Sequence, residues 1–421
     1  LGNILVTGGA GYIGSHACKA LRAAGYTPVT YDNLCTGWRE AVKFGPFEEG
    51  DLADRARLDQ VFATYRPQAV MHFAALSQVG ESIRAPGIYW HNNVAGSLGL
   101  IEAAVAAGCL DFVFSSTCAT YGDHDNVLLD EGCAQHPINA YGASKRAIED
   151  MLRNFEVAHG LRHVIFRYFN VAGADPEAEV GEFHQPETHL IPLVLDAIAG
   201  RRDALTVFGT DYDTPDGTCI RDYVHVMDLV EAHLRGLRWL EEGRGSRVFN
   251  LGTGHGFSVR DVIEAAEAVT GVQVPVIAGA RRPGDCTRLV SGSVRATREL
   301  GWVPARSTLR AMIEDAWRWH EAGHYAKWPR GCDPDQGGRQ GRNGAAEGSG
   351  HGLSVALAAA AVAGARTGEA VAIEDPQQPH RADRARRHPV FRHHAQRGAA
   401  PAAFPRPSSP PWRGAVPDRR E

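Results

Sequence analysis

The chain has 421 residues, is 44% hydrophobic and 22% charged, and carries a formal net charge of −5. That is enough apolar mass for two domains with cores, and it lacks the global basic excess of a nucleic-acid binder. No stretch reaches the roughly 18 consecutive apolar residues of a membrane span. The N-terminus runs straight into a strand pattern rather than a signal-peptide layout. Eight cysteines (Cys18, Cys35, Cys109, Cys118, Cys133, Cys219, Cys286, Cys332) stand singly, with no C-x-x-C. A reducing, cytoplasmic setting with no membrane partner is the expectation.

The first element is Asn3-Ile4-Leu5-Val6, a short apolar run suited to a buried parallel strand. A glycine-rich turn follows, Thr7-Gly8-Gly9-Ala10-Gly11-Tyr12-Ile13-Gly14-Ser15, and Ser15 to Ala24 reads as helix. Glycine at Gly8, Gly11 and Gly14 permits a tight turn, close approach of backbone N–H groups to phosphate, and helix-on-strand packing. The helix N-terminus then faces an anion. A second strand, Pro28-Val29-Thr30-Tyr31, ends at Asp32, which lies 18 residues past Gly14. An acid near that spacing bonds the adenosine ribose hydroxyls of a dinucleotide. It would repel a 2′-phosphate, and Asn33 and Leu34 offer no compensating arginine, so NAD is expected rather than NADP.

Further buried strands are expected at Ala69–Phe73, Phe112–Phe114 and Val164–Phe166, with helices at Asn93–Ala107 and Ser144–Ala158. Just after the strand residue Phe114, Ser115-Ser116-Thr117 sits where such folds place chemistry, at the carboxyl edge of the sheet. Tyr141 and Lys145 stand one helical turn apart on one face. A phenol has an ordinary pKa of about 10, so acting as a base near neutral pH requires ~4 kcal/mol of stabilisation of the phenolate. The Lys145 ammonium and a positive nicotinamide ring are the charges available for it. Thr117 would share a hydrogen bond with the substrate hydroxyl while Tyr141 takes its proton and hydride moves to the nicotinamide.

Beyond Gly173 the pattern becomes irregular, with turn clusters at Asp211–Gly217 and Gly252–Gly256 and helices at Val259–Val269 and Leu309–His320. The expected fold class is α/β: a Rossmann-type doubly wound parallel sheet over residues 1–175, with a smaller interleaved α/β substrate domain over 176–327. The crevice between them is the expected ligand site. Residues 328–421 are rich in Arg, Ala, Gly, Pro and His and lack periodicity, which reads as a disordered tail, of out-of-frame origin or with a basic arm around Arg384–Arg397. His320-Glu321-Ala322-Gly323-His324 matches the zinc pattern H-E-x-x-H. It falls where a helix ends, has Gly323 inside it, and finds no obvious third ligand among the other histidines, so no metal site is expected.

These motifs, with several others, resemble the extended short-chain dehydrogenase/reductase family, and within it the UDP-glucose 4-epimerase branch. The likeness runs from Asn3 to about Tyr325 and includes Tyr31-Asp32-Asn33-Leu34-Cys35, His72-Phe73-Ala74-Ala75, Arg167-Tyr168-Phe169-Asn170 and the discriminating run Asp216–Val226. The resemblance implies an NAD site formed by Gly8, Gly11, Tyr12, Ile13, Gly14, the segment Asp32-Asn33-Leu34-Cys35-Thr36-Gly37, Asp51 and Leu52. It adds Phe73-Ala74-Ala75-Leu76-Ser77, Asn92, Thr117, Tyr141, Lys145 and Phe169. For a UDP-hexose it implies Thr117, Tyr141, Asn170, His189, Leu190, Thr206, Val207, Phe208, Arg221, Arg282 and Asp285, with Leu289 gating space beside the sugar C2 substituent. Departures from the pattern are His189 for asparagine, Ser77 where lysine can occur, and Thr117 for serine.

The implied activity is reversible C4 epimerisation of UDP-glucose and UDP-galactose through a 4-keto sugar. It would serve galactose metabolism and the supply of UDP-galactose for polysaccharide. The implied assembly is a homodimer paired through the helices at Asn93–Ala107 and Ser144–Ala158, with Ala95, Gly96, Ala103 and Ala107 allowing close approach. Related dehydratases place an acid/base pair directly after the threonine, where this chain has Cys118 and Ala119. A UDP-pentose 4-epimerase uses the same machinery, and a non-catalytic NAD-binding regulator is the alternative of a different class.

Overall fold

A computed structural model of the chain describes residues 1–323 except 125–127 and 283–284. The readings made of the segment 328–421 and of His324 lie outside the described residues. No described helix is long and apolar enough to cross a membrane.

Seven parallel strands form the main sheet, in the order Arg247–Leu251, Arg162–Tyr168, Asp111–Thr117, Ala69–His72, Asn3–Thr7, Thr27–Asp32, Phe47–Glu49. Alternating side chains feed opposite faces, as the two-residue period of a strand requires. Ile4, Val6, Met71, Val113 and Val164 pack with residues of the helices Tyr12–Ala23 and Val226–Glu241. Leu5, Val70, Phe112, Phe114 and Ile165 pack with residues of Arg55–Tyr65, Gly96–Ala106 and Ala140–His159. Strand order reverses between Asn3–Thr7 and Ala69–His72, the switch point at whose carboxyl ends sheets of this kind bind ligands. Helix Val226–Glu241 and strand Arg247–Leu251 complete this layer although they follow residue 175.

The remaining elements form a second cluster. Strand Ile220–His225 pairs antiparallel with Gly256–Ser258 and parallel with Arg288–Leu289 and Asn170–Ala172. Leu205–Phe208 pairs with Val276–Gly279. Helices Leu190–Ile198, Val259–Thr270 and Leu309–Glu321 meet through Ile191, Val194, Val262, Met312 and Ile313.

Two helix starts differ from the sequence expectation, with local causes. Asn139 caps the helix Ala140–His159, its side chain accepting from Gly142 N at 2.8 Å. The helix therefore begins four residues before Ser144 and holds Tyr141 in its first turn. The helix expected from Asn93 is preceded by helix Pro86–Tyr89 and a π-helical stretch, Trp90–Ala95, before the α-helix Gly96–Ala106. That wider turn carries Asn93, which is fully buried: Oδ1 accepts from Leu76 N at 2.8 Å, and Nδ2 donates to Leu76 O and Ser144 Oγ, each at 3.0 Å. Such local widening often marks functional sites.

Candidate active site

The glycine turn sits at the carboxyl end of the first strand. Gly8 has φ +73°, and a Cβ there would stand 2.5 Å from Ala74 N; a Cβ on Gly14 would stand 2.1 Å from Gly8 O. Only glycine fits either place. A Cβ on Gly11 would meet nothing of the chain but Gly8 O, at 3.3 Å, so that face is left clear. Helix Tyr12–Ala23 starts at Gly11 with no capping side chain and no acid in its first turn. The amides around Tyr12 and Ile13 are thus disposed for a pyrophosphate.

Asp32 is buried, and its carboxylate accepts from Ala10 N at 3.0 Å and Leu34 N at 2.8 Å. Burial pushes its pKa up against those two donors. Each oxygen retains acceptor capacity for a ribose hydroxyl. Asn33 donates to Asp51 Oδ2 at 2.7 Å and accepts from Cys35 N at 3.1 Å, and Gly37 lies against Ala10. This draws Asp32–Gly37, Asp51 and the glycine turn together. Phe73 and Ala74 donate their amides to Thr7 O, which lays the Phe73–Ser77 segment beside the turn. Leu52 packs on Gly96, and Asn92 donates to Asn93 Oδ1 at 2.9 Å. The buried acid, the glycine cradle and the uncapped helix fit a dinucleotide.

Thr117, Tyr141 and Lys145 are all buried, with exposures of 6%, 8% and 2%. Thr117 ends its strand, accepts from Ala119 N at 3.1 Å, and stands beside the Tyr141 phenol, whose pKa it draws down against burial. Lys145 Nζ donates to Ser115 O at 2.8 Å and lies 4.9 Å from the Phe114 ring centre. Burial pushes the Tyr141 phenol up and the Lys145 ammonium down to about 7. Desolvation is the leading cause for both groups, and for Lys145 no carboxylate among the described residues offsets it.

The substrate-side residues divide. Arg221 donates to Asp285 Oδ1 at 3.1 Å, and the Arg282 guanidinium lies 4.0 Å over the Phe208 ring. Strand pairing puts Leu289 opposite Arg221, and Leu289 packs against the small cluster formed by Cys118, Tyr121, Leu129 and Phe169. Asn170, exposed, starts the strand Asn170–Ala172. Val207 points its side chain into the core, whereas Thr206 and Phe208 alternate away from it. His189 is engaged within the chain on one side. Its Nδ1 lies 3.0 Å from Glu182 Oε1 and 2.9 Å from Glu187 Oε1. Leu190 begins the adjoining helix. His320 of the zinc-like pattern is buried, and its Nε2 lies 2.9 Å from Asp196 Oδ1.

Sequence reasoning missed the groups beneath this floor. Glu149 is fully buried and paired with Arg167 (Nη2–Oε2 2.6 Å), and accepts from Ser116 Oγ at 2.7 Å. Arg167 reaches Tyr121 OH at 3.0 Å, which donates to Asn250 Oδ1 at 2.6 Å. Arg167 holds the Glu149 carboxyl below its ordinary range despite burial. A charged residue one turn after Lys145, on the face that the helix buries, was the available signal. Asp222 was missed as well: it accepts from Thr253 N, Gly254 N and Ser291 N at 2.9 to 3.1 Å and so locks the loops beside Leu289.

A doubly wound sheet with a dinucleotide cradle, a strand-end hydroxyl and a Tyr–Lys pair at its carboxyl edge defines an NAD-dependent catalytic domain. The chain belongs to the NAD dependent epimerase/dehydratase family, whose model matches residues 4–252. It is 53% identical over 318 residues to a UDP-glucose 4-epimerase of Rhizobium meliloti (strain 1021), spanning 76% of this chain and 97% of the relative. A crystal structure of UDP-glucose 4-epimerase from Brucella ovis in complex with NAD superposes with a TM-score of 0.74 at 48% identity, covering 76% of this chain and 98% of that one. That of the Bifidobacterium longum enzyme, in complex with NAD+ and UDP, gives 0.73 at 34% identity, over 76% and 99%.

Proposed function

We propose that the protein catalyses the reversible C4 epimerisation of UDP-glucose and UDP-galactose. The observation that carries this reading is the buried Thr117–Tyr141–Lys145 group, followed by Cys118 and Ala119 in place of the carboxylates that elimination would require. NAD supplies the hydride acceptor at sugar C4 and the donor for its return. Tyr141 takes the proton of the 4-hydroxyl and gives it back, Thr117 holds that hydroxyl in line, and Lys145 provides positive charge beside the phenol. Arg221 and Arg282 grip the diphosphate, whose binding energy positions a hexose that stays free to turn its other face.

The other residues named for NAD and UDP take the roles that the resemblance implies, with Val207 contributing through its backbone and His189 through its remaining ring edge. The protein works as a cytoplasmic homodimer. Support for pairing comes from Ala95, Ala107 and Val157, which are exposed on the two helices, whereas Gly96 and Ala103 are used inside the chain against Leu52 and the core. Incubating purified protein with UDP-galactose and resolving the products tests the activity. Failure to form UDP-glucose while NAD is bound would overturn it.

A further inference from the structure

The segment between Glu182 and His189, just before helix Leu190–Ile198, takes no part in the steps above apart from the outer edge of His189. It repeats the pattern E-x-H, as Glu182-Phe183-His184 and Glu187-Thr188-His189. One ligand-type atom from each of Glu182, His184, Glu187 and His189 lies within 4.8 Å of all the others. His184 Nδ1 is 3.3 Å from Glu182 Oε1 and 3.6 Å from Glu187 Oε2. His189 Nδ1 is 3.0 and 2.9 Å from Oε1 of the same two carboxylates, and the two rings are 5.0 Å apart.

We propose that these four side chains bind one divalent transition-metal cation, with zinc the best fit. Four ligands arranged tetrahedrally at bonds of about 2.0–2.1 Å stand roughly 3.3 Å from one another. The nitrogen–oxygen separations, 2.9 to 3.6 Å when taken to the nearer oxygen of Glu187 in each case, bracket that edge length. Ligand chemistry agrees, since imidazole with carboxylate suits a borderline cation, and two carboxylates neutralise a dication.

A second observation is independent of the distances. His184 Nδ1 is sealed from solvent and has no well-aligned hydrogen-bond partner, although carboxylate oxygens of Glu182 and Glu187 lie within ion-pair range. Those oxygens stand beside the nitrogen rather than in line with it, as ligands do when they surround a common point. Supporting contacts are present too. Glu187 Oε1 accepts from Thr188 N and His189 N at 2.7 and 2.8 Å, fixing its carboxylate, and Tyr12 presents its ring edge-on to His184 at 6.5 Å. The bound ion would tie the glycine-turn helix, through Tyr12, to the start of helix Leu190–Ile198. Its role is structural, because four protein ligands leave no open position.

The test uses the full chain after dialysis against a chelator. Calorimetric titration with Zn²⁺ should show one tight equivalent that is lost, by ~100-fold or more in affinity, in His184→Ala and in Glu187→Gln. Co²⁺ should produce the strong visible bands of four-coordinate geometry in the unmodified chain and not in the variants. Zn²⁺ should also protect His184 and His189 of the unmodified chain from diethyl pyrocarbonate, a readout that survives if a variant does not fold. Absence of a tight equivalent, unchanged affinity in folded variants, or protection confined to other histidines would each overturn the site and leave a proton-filled Glu–His quartet.

Discussion

The ammonium of Lys145 donates to the backbone carbonyl of Ser115 at 2.8 Å, so the catalytic helix is tied to the strand two residues before Thr117. Both partners are buried, and burial brings Lys145 down to about 7. Its value in an unfolded chain is near 10.5. Between those values the unfolded chain carries one more proton than the folded one. The stability of the dinucleotide-free protein should therefore rise with pH over that window, by up to about 1.4 kcal/mol per pH unit from this group. Lys145→Met should lack the rise. Urea unfolding of both proteins at pH 7 and pH 9.5 measures it, and parallel pH dependences would show that Lys145 stays charged when buried.

Tyr141→Phe keeps the ring and removes the base, so epimerase turnover should fall by several orders of magnitude with the fold retained. Thr117→Ala should cost ~10²-fold, in the range for a positioned proton-transfer partner. Turnover in Tyr141→Phe comparable to that of the parent would mean that the proton leaves by another route.

Glu149 is held below its ordinary 4.5 by Arg167 and Ser116, which outweigh its burial. A carboxylate shifted in that direction contributes stability above the unfolded value and loses it as pH falls through the lower folded one. Glu149→Gln should cost about 3 kcal/mol near pH 7, because it leaves Arg167 without its charge partner. The gap should stay constant down to about pH 5.5 and narrow below 4.5. Chemical denaturation across that range checks both the size and the direction.

Leu289 packs against the cluster of Cys118 and Phe169, and the proposed role for it is to gate space beside the sugar C2 substituent. Leu289→Tyr should suppress any side activity on UDP-N-acetylglucosamine and spare the plain hexoses, since the added bulk meets only the acetamido group. An equal loss on both substrates would place the gate elsewhere.

Sedimentation at micromolar concentration should show a dimer. Ala107→Glu, which puts charge on the exposed end of that pairing face, should shift it toward monomer without unfolding it. A monomer in the parent protein would remove the assembly proposal.

Local geometry made much of this protein legible in the sequence. Glycine spacing, an acid after the second strand and a Tyr–Lys pair one turn apart are properties of short backbone segments, so their positions follow from residue order alone. Gly8, Gly14, Asp32, Tyr141 and Lys145 could be placed for that reason. Tertiary structure decided what depends on distant neighbours. Helix Val226–Glu241 and strand Arg247–Leu251 close a sheet begun some two hundred residues earlier. Asn93 widens its helix to bridge Leu76 and Ser144. Glu149 finds Arg167 from another strand, and the opposite shifts of Tyr141 and Lys145 arise because the surrounding fold strips water from both. Charge and solvation are set by whatever packs around a group, and that packing partner is rarely its neighbour in the chain.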